Sequence, residues 1–172
     1  MTQDEGQAAT ESVWDYPRPP AVDGSGTEQV VVVFGGVEVA RTTQALRVLE
    51  TSHPPTYYLP RAVFADGVLR AAQDAHTTWC EFKGTATYWD LVVGRVRRPR
   101  AAWSYESPSP RYHRLLGHVA LMPGLVDRAT CPEDGCFVDG ERVRPQEGGF
   151  YGGWVTSRVT GPFKGPPGTR GW

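Results

Sequence analysis

The stretch TTWCEFKGTATYWDLVVG (77–94) decides the fold class. Its aromatic and β-branched residues are typical of β-strands, and Gly84 interrupts the run near its middle. Before that glycine, Trp79 and Lys83 fall on one side of an extended chain, whereas Cys80 falls on the other. The stretch therefore predicts a hairpin of two antiparallel strands.

Glycine and proline divide the rest of the chain into similar short segments. The 172 residues include 20 Gly and 15 Pro. A Gly-Gly pair at 35–36 follows the strand candidate VVVVF (30–34), and Asp-Gly pairs at 66–67 and 139–140 mark further hairpin turns. These features predict a mostly β protein with antiparallel strands.

One helix is predicted over TTQALRVLET (42–51). Leu46 and Leu49 fall on one face at helical spacing, and a threonine at the start can cap the first turn. The helix has to end before Pro54. A single helical turn, followed by a strand, is also expected in RYHRLLGHVALMPG (111–124).

The charge balance argues against nucleic acid as a partner. The chain has 18 Lys+Arg and 19 Asp+Glu, and its basic run RVRRPR (95–100) is interpreted as a solvated turn. The longest apolar run, at 30–34, is much shorter than the ~20 residues of a membrane-spanning helix. The polar start of the chain lacks the pattern of a secretory signal. We therefore expect a cytoplasmic protein that binds neither nucleic acid nor membrane, in an oligomeric state that the sequence leaves open.

The chain is predicted to form one domain after a short tail. Residues 1–12 lack apolar periodicity and are expected to be disordered. Trp14 and Tyr16 can fasten the proline-rich segment that follows. Residues 13–172 contain no linker between two cores and are predicted to form a single β-rich domain with a Gly/Pro-rich C-terminal extension.

Eight segments together resemble a bacterial family catalogued as domain of unknown function 427, in its longer actinobacterial form. The resemblance covers residues 11–172 and implies an antiparallel β-tent-like fold, in which two small sheets with one or two short helices surround a cleft. The segments are ESVWDYPRPP (11–20), VVFGGVEVA (32–40), RVLETSHPPTYYLP (47–60), TWCEFKGTATYWDL (78–91), AAWSYESPSP (101–110), GHVALMPG (117–124), VDGERVRPQEGGFYGGWVTS (138–157) and GPFKGPPGTRGW (161–172).

The family also carries a nucleotidyltransferase-like label. This sequence has neither a G-x-x-x-x-G-K-[ST] phosphate loop nor a D-x-D pair of carboxylates for Mg²⁺, so we do not expect nucleotidyl transfer. The sequence also departs from the family pattern at RATCPEDGCFVDG (128–140), where several residues are inserted.

Candidate acid–base residues lie in LETSHPPTYYLP (49–60). Glu50 and His53 are three residues apart, and a carboxylate beside an imidazole can tune a general base. In the catalytic interpretation Glu50 is the acid–base residue, and His53 or Tyr58 is its hydrogen-bonding partner. The alternative interpretation is structural: Glu50 pairs with a neighbouring arginine and His53 completes the turn before Pro54.

Aromatic side chains form the largest candidate ligand-binding set. Rings that carry a hydroxyl or an N–H suit a cleft for a flat ring or a cation, and β-tent proteins are similar in using such a pocket for small molecules. Lys83 would hold an anionic group of the ligand. The alternative is that the rings fill the core. The candidate residues are Tyr57, Trp79, Lys83, Tyr88, Trp103 and Tyr105.

Cys80 is a candidate reactive thiol because a lysine follows three residues later, although a buried, inert thiol is the alternative. Cys131 and Cys136 lack the second pair of ligands that a structural zinc site needs, and His113 with His118 offers only imidazoles. We expect no metal and no cofactor. Whether Cys131 and Cys136 form a disulfide stays open.

The sequence thus predicts a domain that binds a small polar or aromatic molecule in an aromatic-lined cleft. Two alternatives stay open for Glu50, which is an acid–base catalyst in an enzyme or an anchor in a non-catalytic sensor. A catalytic acid should be desolvated, whereas an anchor should be paired with Arg or Lys. A protein-interaction module using the proline-rich segments PRPP (17–20) and GPFKGPPG (161–168) is the third possibility.

Overall fold

The computed structural model describes residues 9–127 and 131–172. The protein is mostly β with several antiparallel sheets, which confirms the predicted fold class. The strands are β1 (Glu11–Ser12), β2 (Ala21–Asp23), β3 (Val30–Phe34), β4 (Val37–Thr42), β5 (Leu46–Leu49), β6 (Thr56–Pro60), β7 (Leu69–Ala71), β8 (Thr77–Cys80), β9 (Gly84–Val93), β10 (Val96–Ser104), β11 (His118–Leu121), β12 (Gly135–Val138), β13 (Glu141–Arg142), β14 (Arg144–Pro145), β15 (Trp154–Val155) and β16 (Val159–Thr160). The helical segments are 3-10 turns at Val13–Asp15, Arg61–Val63 and Pro110–Leu115 and the α-helical turn α1 (Pro123–Val126).

Two sheets dominate the architecture. The larger has eight strands in the order β2-β5-β6-β11-β10-β9-β7, and β8 pairs with the part of β9 that β7 leaves open. The smaller has the order β13-β12-β3-β4. Two further pairs are β14 with β15, which is antiparallel, and β1 with β16, which is parallel.

Three of the four predicted glycine-marked turns close hairpins. In the stretch 77–94, β8 ends at Cys80 and β9 begins at Gly84, which confirms the predicted hairpin. The pairs at 35–36 and 139–140 join β3 to β4 and β12 to β13, and all four residues have positive φ. The pair at 66–67 is a turn but closes no hairpin, because β7 pairs with β9.

The predicted helix over 42–51 is wrong. Leu46–Leu49 is a strand that pairs with β2 and β6, and its buried residues are Leu46 and Val48. This alternation has the period of a strand, and sheet pairing on both sides outweighs the helical spacing of the leucines. The basic run 95–100 also differs from expectation, since the turn is at Gly94 and Arg95 and the remainder lies in β10.

Neighbouring tyrosines of β6 enter different apolar clusters. Tyr57 belongs to the main core, which includes Phe34 of the smaller sheet, Leu91 of the larger sheet and Trp154 of β15. Tyr58 points to the opposite face of β6, where a second cluster includes Tyr105 and residues of the 3-10 turn Pro110–Leu115. The larger sheet therefore carries apolar residues on both faces.

The N-terminal segment differs from the expected tail at Glu11 and Ser12. Both residues lie in β1, paired with β16. The Glu11 carboxylate accepts hydrogen bonds from the Tyr16 hydroxyl at 2.6 Å and from Arg47 at 3.0 and 3.2 Å, and these contacts hold the strand. Residues 1–8 of the expected tail lie outside the described residues. Over the ranges given above, no helix is long and apolar enough to cross a membrane.

Candidate functional site

A tight corner connects β5 to β6 and carries Glu50 and His53. The N–H of His53 donates to the Glu50 carbonyl at 3.0 Å, which closes the turn. The N–H of Ser52 donates to the Val13 carbonyl at 3.1 Å, and the Ser52 carbonyl accepts from the Lys164 N–H at 2.8 Å. The corner is therefore held by segments from both ends of the chain.

Ser52 is the strained residue of this corner. Its φ is 71°, which L-residues other than glycine rarely adopt, and its side chain is fully buried. Among the described residues its hydroxyl has no hydrogen-bond partner. Such a conformation persists only where the surroundings enforce it, and here the two backbone bonds of Ser52 do so.

The side-chain amide of Gln146 sets the tautomer of His53. Oε1 of Gln146 accepts from the Gly153 N–H at 3.2 Å, and Nε2 donates to the Lys164 carbonyl at 2.7 Å. These backbone partners determine which end of the amide is the donor. Because Nε2 of Gln146 also lies 3.1 Å from Nδ1 of His53, Nδ1 accepts a hydrogen bond and the neutral ring carries its proton on Nε2.

Charged residues lie around His53 and shift its pKa in both directions. Nε2 of His53 lies 3.8 Å from Oε2 of Glu50, whose other oxygen lies 3.8 Å from Nε of Arg18. Burial lowers the pKa of His53, and the positive charges of Lys164 and Arg18 lower it further, whereas Glu50 and the hydrogen bond from Gln146 oppose the shift. Glu50 thus has the pairing with arginine expected of an anchor.

A row of facing residues crosses five strands of the larger sheet. Leu46 faces Tyr58, Tyr58 faces Ala120, Ala120 faces Trp103, and Trp103 faces Tyr88. Directly opposite residues point to the same face, so these side chains form one continuous surface. The small Ala120 between two large rings leaves space in which Tyr58 and Trp103 meet.

We call Tyr58, Tyr88, Trp103, Tyr105 and Cys80 the aromatic cluster. The Trp103 indole N–H donates to the Tyr58 hydroxyl at 3.3 Å, and the two rings meet edge to face at a centroid separation of 6.3 Å. The rings of Tyr58 and Tyr105 are 6.4 Å apart. Tyr88 is held by its hydroxyl, which lies 2.9 Å from Oγ1 of Thr78.

The aromatic cluster has a buried floor and a half-buried rim. Tyr58 is 1% exposed and Tyr105 is 5% exposed, whereas Tyr88, Trp103 and Cys80 are half-buried. Burial raises the pKa of Tyr58 and of Tyr105, so both hydroxyls stay protonated at neutral pH. They can donate and accept hydrogen bonds but do not act as bases there.

Lys83 lies at the edge of the aromatic cluster. Its Nζ is 5.8 Å from the centroid of the Tyr105 ring, within range of a cation–π contact. Within the part of the chain that the structure describes, Lys83 has no ion pair.

Four other candidate residues lie away from the aromatic cluster. Tyr57 is in the main core, stacked on Trp154 at 4.8 Å, and burial raises its pKa to about 12. Trp79 is 74% exposed on β8. Glu50 and His53 form the separate polar group at the corner, so the structure does not bring the whole predicted catalytic and ligand-binding set together.

The segment FYGGW (150–154) connects this polar group to the aromatic cluster. The Tyr151 ring packs edge-on against His53 at 5.3 Å. A methyl group on Gly152 would collide with the Trp103 ring, so only glycine allows this approach. Sequence reasoning missed Gln146, Tyr151 and Lys164. The glycine pair between two aromatic residues was the one available signal of a close contact.

The cysteines and histidines give no metal centre among the residues the structure covers, where no group of three or more potential ligands is found. Cys131 and Cys136 are free thiols, like Cys80. His113 is exposed, and Nδ1 of His118 lies 3.0 Å from the Leu116 carbonyl.

Comparison with known families identifies one match. The model of the family described as Domain of unknown function (DUF427) matches residues 24–131, which are 108 of the 172 residues. These residues include every strand of the larger sheet except β2, together with β3 and β4 of the smaller one. A comparison with curated proteins finds no match. Because the match covers more than half of the chain, this protein belongs to the DUF427 family.

Proposed function

We propose that this protein binds a small planar molecule with an anionic group at the aromatic cluster. In this proposal the ring of the ligand lies against the half-buried faces of Trp103 and Tyr88, and its anionic group meets Lys83. The observation that carries the proposal is the convergence of an indole, three phenols and an ammonium group on one face of the sheet.

The charge of Lys83 supports an anionic ligand. An ion pair between Lys83 and a carboxylate of the protein would neutralise the ammonium group and weaken its attraction for an anionic ligand. Since the described residues supply none, the positive charge stays available beside a ring face. The buried phenols Tyr58 and Tyr105 form an apolar floor beneath the ring of the ligand.

Binding without chemistry fits this arrangement better than acid–base catalysis. Glu50 is engaged by Arg18 and His53, and no hydrogen bond or ion pair joins it to the aromatic cluster within residues 9–127 and 131–172. Neither Tyr58 nor Tyr105 is ionised at neutral pH. We therefore favour ligand binding in which no general base contacts the ligand.

Matched planar probes test the proposal. Benzoate and nicotinate carry a carboxylate, whereas benzamide and nicotinamide keep the same rings without the charge. Titration calorimetry on the wild type and on Lys83→Met should show weaker binding of the carboxylates by about tenfold in the variant, with the amides unaffected. The Trp103 indole N–H signal, assigned with Trp103→Phe, should shift on addition of nicotinate.

Two variants serve as controls. Lys164→Met removes a lysine outside the aromatic cluster, and Trp79→Phe changes an exposed indole; both should bind nicotinate like the wild type. The proposal fails if none of the probes moves the Trp103 signal, or if Lys83→Met binds the carboxylates as well as the wild type does.

A further inference from the structure

We propose a second ligand site, in a groove formed by the C-terminal segment, for a small zwitterion with an apolar or aromatic body. The groove has a volume of about 580 Å³. Its walls include Phe163, Trp172 and four prolines, with Arg144, Glu147 and Thr169 as polar residues. Cavities of roughly 300–1,000 Å³ that are mostly apolar with a few placed polar groups are typical of small-molecule sites.

The two charged side chains define the chemistry of the ligand. Arg144 and Glu147 both line the groove and carry opposite charges. In the described parts of the chain neither side chain makes an ion pair or a hydrogen bond, with each other or with a third residue. A ligand with both a carboxylate and an amine would satisfy both charges, whereas a ligand with only one would leave the other unmatched.

The apolar walls are held in place by tertiary contacts. The Trp172 ring packs edge-on against Trp14 at 5.3 Å, and the Trp14 indole N–H donates to the Pro162 carbonyl at 2.8 Å. Nζ of Lys164 donates to the carbonyl oxygen of Trp172 at 3.2 Å. The groove therefore exists before a ligand arrives, which lowers the entropic cost of binding.

A turn that lines the groove is similarly fixed. Oγ1 of Thr169 donates to the Pro166 carbonyl at 2.7 Å and accepts from the Gly165 N–H at 2.8 Å. Gln146, which also lines the groove, is 4% exposed and is bonded to Lys164 and Gly153. Their polar atoms are therefore occupied, which leaves Arg144 and Glu147 as the charged groups that face a ligand.

This site is independent of the proposed function. The lining residues lie between 144 and 172, after the family match at 24–131 ends, and none belongs to the aromatic cluster. Binding in the groove should therefore be insensitive to Lys83→Met, and failure of one proposal leaves the other standing.

Three probes of one shape separate the two charges. L-Phenylalanine carries both charges, phenethylamine only the amine, and 3-phenylpropionate only the carboxylate. For the wild type, calorimetry should give an affinity for phenylalanine at least about tenfold above that for either of the other two. The Trp172 indole N–H signal, assigned with Trp172→Phe, should shift with phenylalanine.

Charge-removing variants then assign each contact. Arg144→Gln should reduce the affinity for phenylalanine to that for phenethylamine and leave phenethylamine binding unchanged. Glu147→Gln should reduce it to the affinity for 3-phenylpropionate. Arg95→Gln and Glu133→Gln, which change exposed charges elsewhere, should behave like the wild type. Equal binding of all three probes, absence of any Trp172 shift, or unchanged phenylalanine affinity in both groove variants would overturn the proposal.

Discussion

Nε2 of Gln146 lies 3.1 Å from Nδ1 of His53, and this contact joins residues 93 positions apart in the chain. Because two backbone groups fix the orientation of the Gln146 amide, the contact also fixes the protonation of the imidazole. The histidine next to the predicted acid is therefore a neutral ring whose remaining N–H faces Glu50.

The first prediction concerns that tautomer. At pH 8 the His53 ring should be neutral with its proton on Nε2, because Nδ1 is occupied by the N–H of Gln146. Long-range ¹⁵N–¹H correlation spectra distinguish the two tautomers directly. In Gln146→Leu the donor is gone, and the ring should populate a mixture. A wild-type ring protonated on Nδ1 would contradict the assignment.

The second prediction concerns pH. Burial lowers the pKa of His53 below that of an unfolded histidine, about 6.5. The unfolded state therefore binds more protons between the two pKa values, and the contribution of His53 to stability is full above pH 6.5 and is lost as the pH falls through the folded pKa. Urea unfolding of the wild type should show a larger loss from pH 7.5 to pH 5 than that of His53→Asn. The exposed His113→Asn is the control and should follow the wild type.

The third prediction concerns Arg47, which holds the N-terminal strand. Arg47 is 11% exposed and binds Glu11 at 3.0 Å and Asp23 at 2.7 Å. Arg47→Met leaves two carboxylates facing each other without a cation, and we expect it to cost about 2–3 kcal/mol in the free energy of unfolding. Arg41→Met, which removes an exposed pair with Glu38, should change stability much less.

The same variant should change the titration of Asp23. Burial alone would raise the pKa of Asp23, but hydrogen bonds from Ser25 and Arg47 outweigh it and lower the pKa to about 2. This contribution to stability is present above the unfolded value, about 3.9, and is lost as the pH falls towards 2. In Arg47→Met the Asp23 pKa measured by NMR should rise; an unchanged value would show that Arg47 does not hold the carboxylate.

The fourth prediction tests the crossing of two backbones beside the groove. Gly165 has a φ of 139°, and a methyl group there would collide with the Glu147 carbonyl. Gly165→Ala should destabilise the protein by about 1–3 kcal/mol. Gly171→Ala is the matched control, since a methyl group at Gly171 meets no atom within 4 Å. Thermal unfolding of both variants checks the difference.

The fifth prediction concerns thiol reactivity. Cys136 is 1% exposed, and burial raises the pKa of its thiol, so the reactive thiolate is scarce. In the native protein Cys136→Ser should leave the number of thiols that react with a disulfide reagent unchanged. In urea the variant should show one fewer than the wild type. Loss of a reactive thiol from the native variant would show that Cys136 is accessible.

Local chemistry made the hairpins predictable. The turns at 35–36 and 139–140 need positive φ, and Gly or Asp-Gly supplies it without help from distant residues. Leu46–Leu49 shows the limit of such reasoning. Leu46 and Leu49 have a helical spacing, whereas Leu46 and Val48 alternate as in a strand. Only the strands that flank the segment in space, β2 and β6, decide between the two.

The contacts of the candidate site were also predictable only in part. Tyr58, Tyr88 and Trp103 meet because strand register aligns them, and a sequence that predicts strands also indicates such meetings. Glu50, predicted as the acid–base catalyst or the anchor of the ligand, is held at the corner by Arg18 and His53. The residues that set the tautomer and the pKa of His53 include Gln146 and Lys164. No local sequence pattern predicts that these residues lie beside His53.

The adjacent tyrosines of β6 connect the two faces of the larger sheet. Tyr58 is bonded to Trp103 on one side of the sheet, while Tyr57 stacks on the fully buried Trp154 on the other. Tyr57 and Tyr58 share a peptide unit, so β6 joins the aromatic cluster directly to the main core. Under the proposed function, ligand binding at the aromatic cluster should therefore change the fluorescence of Trp154, which the ligand does not touch.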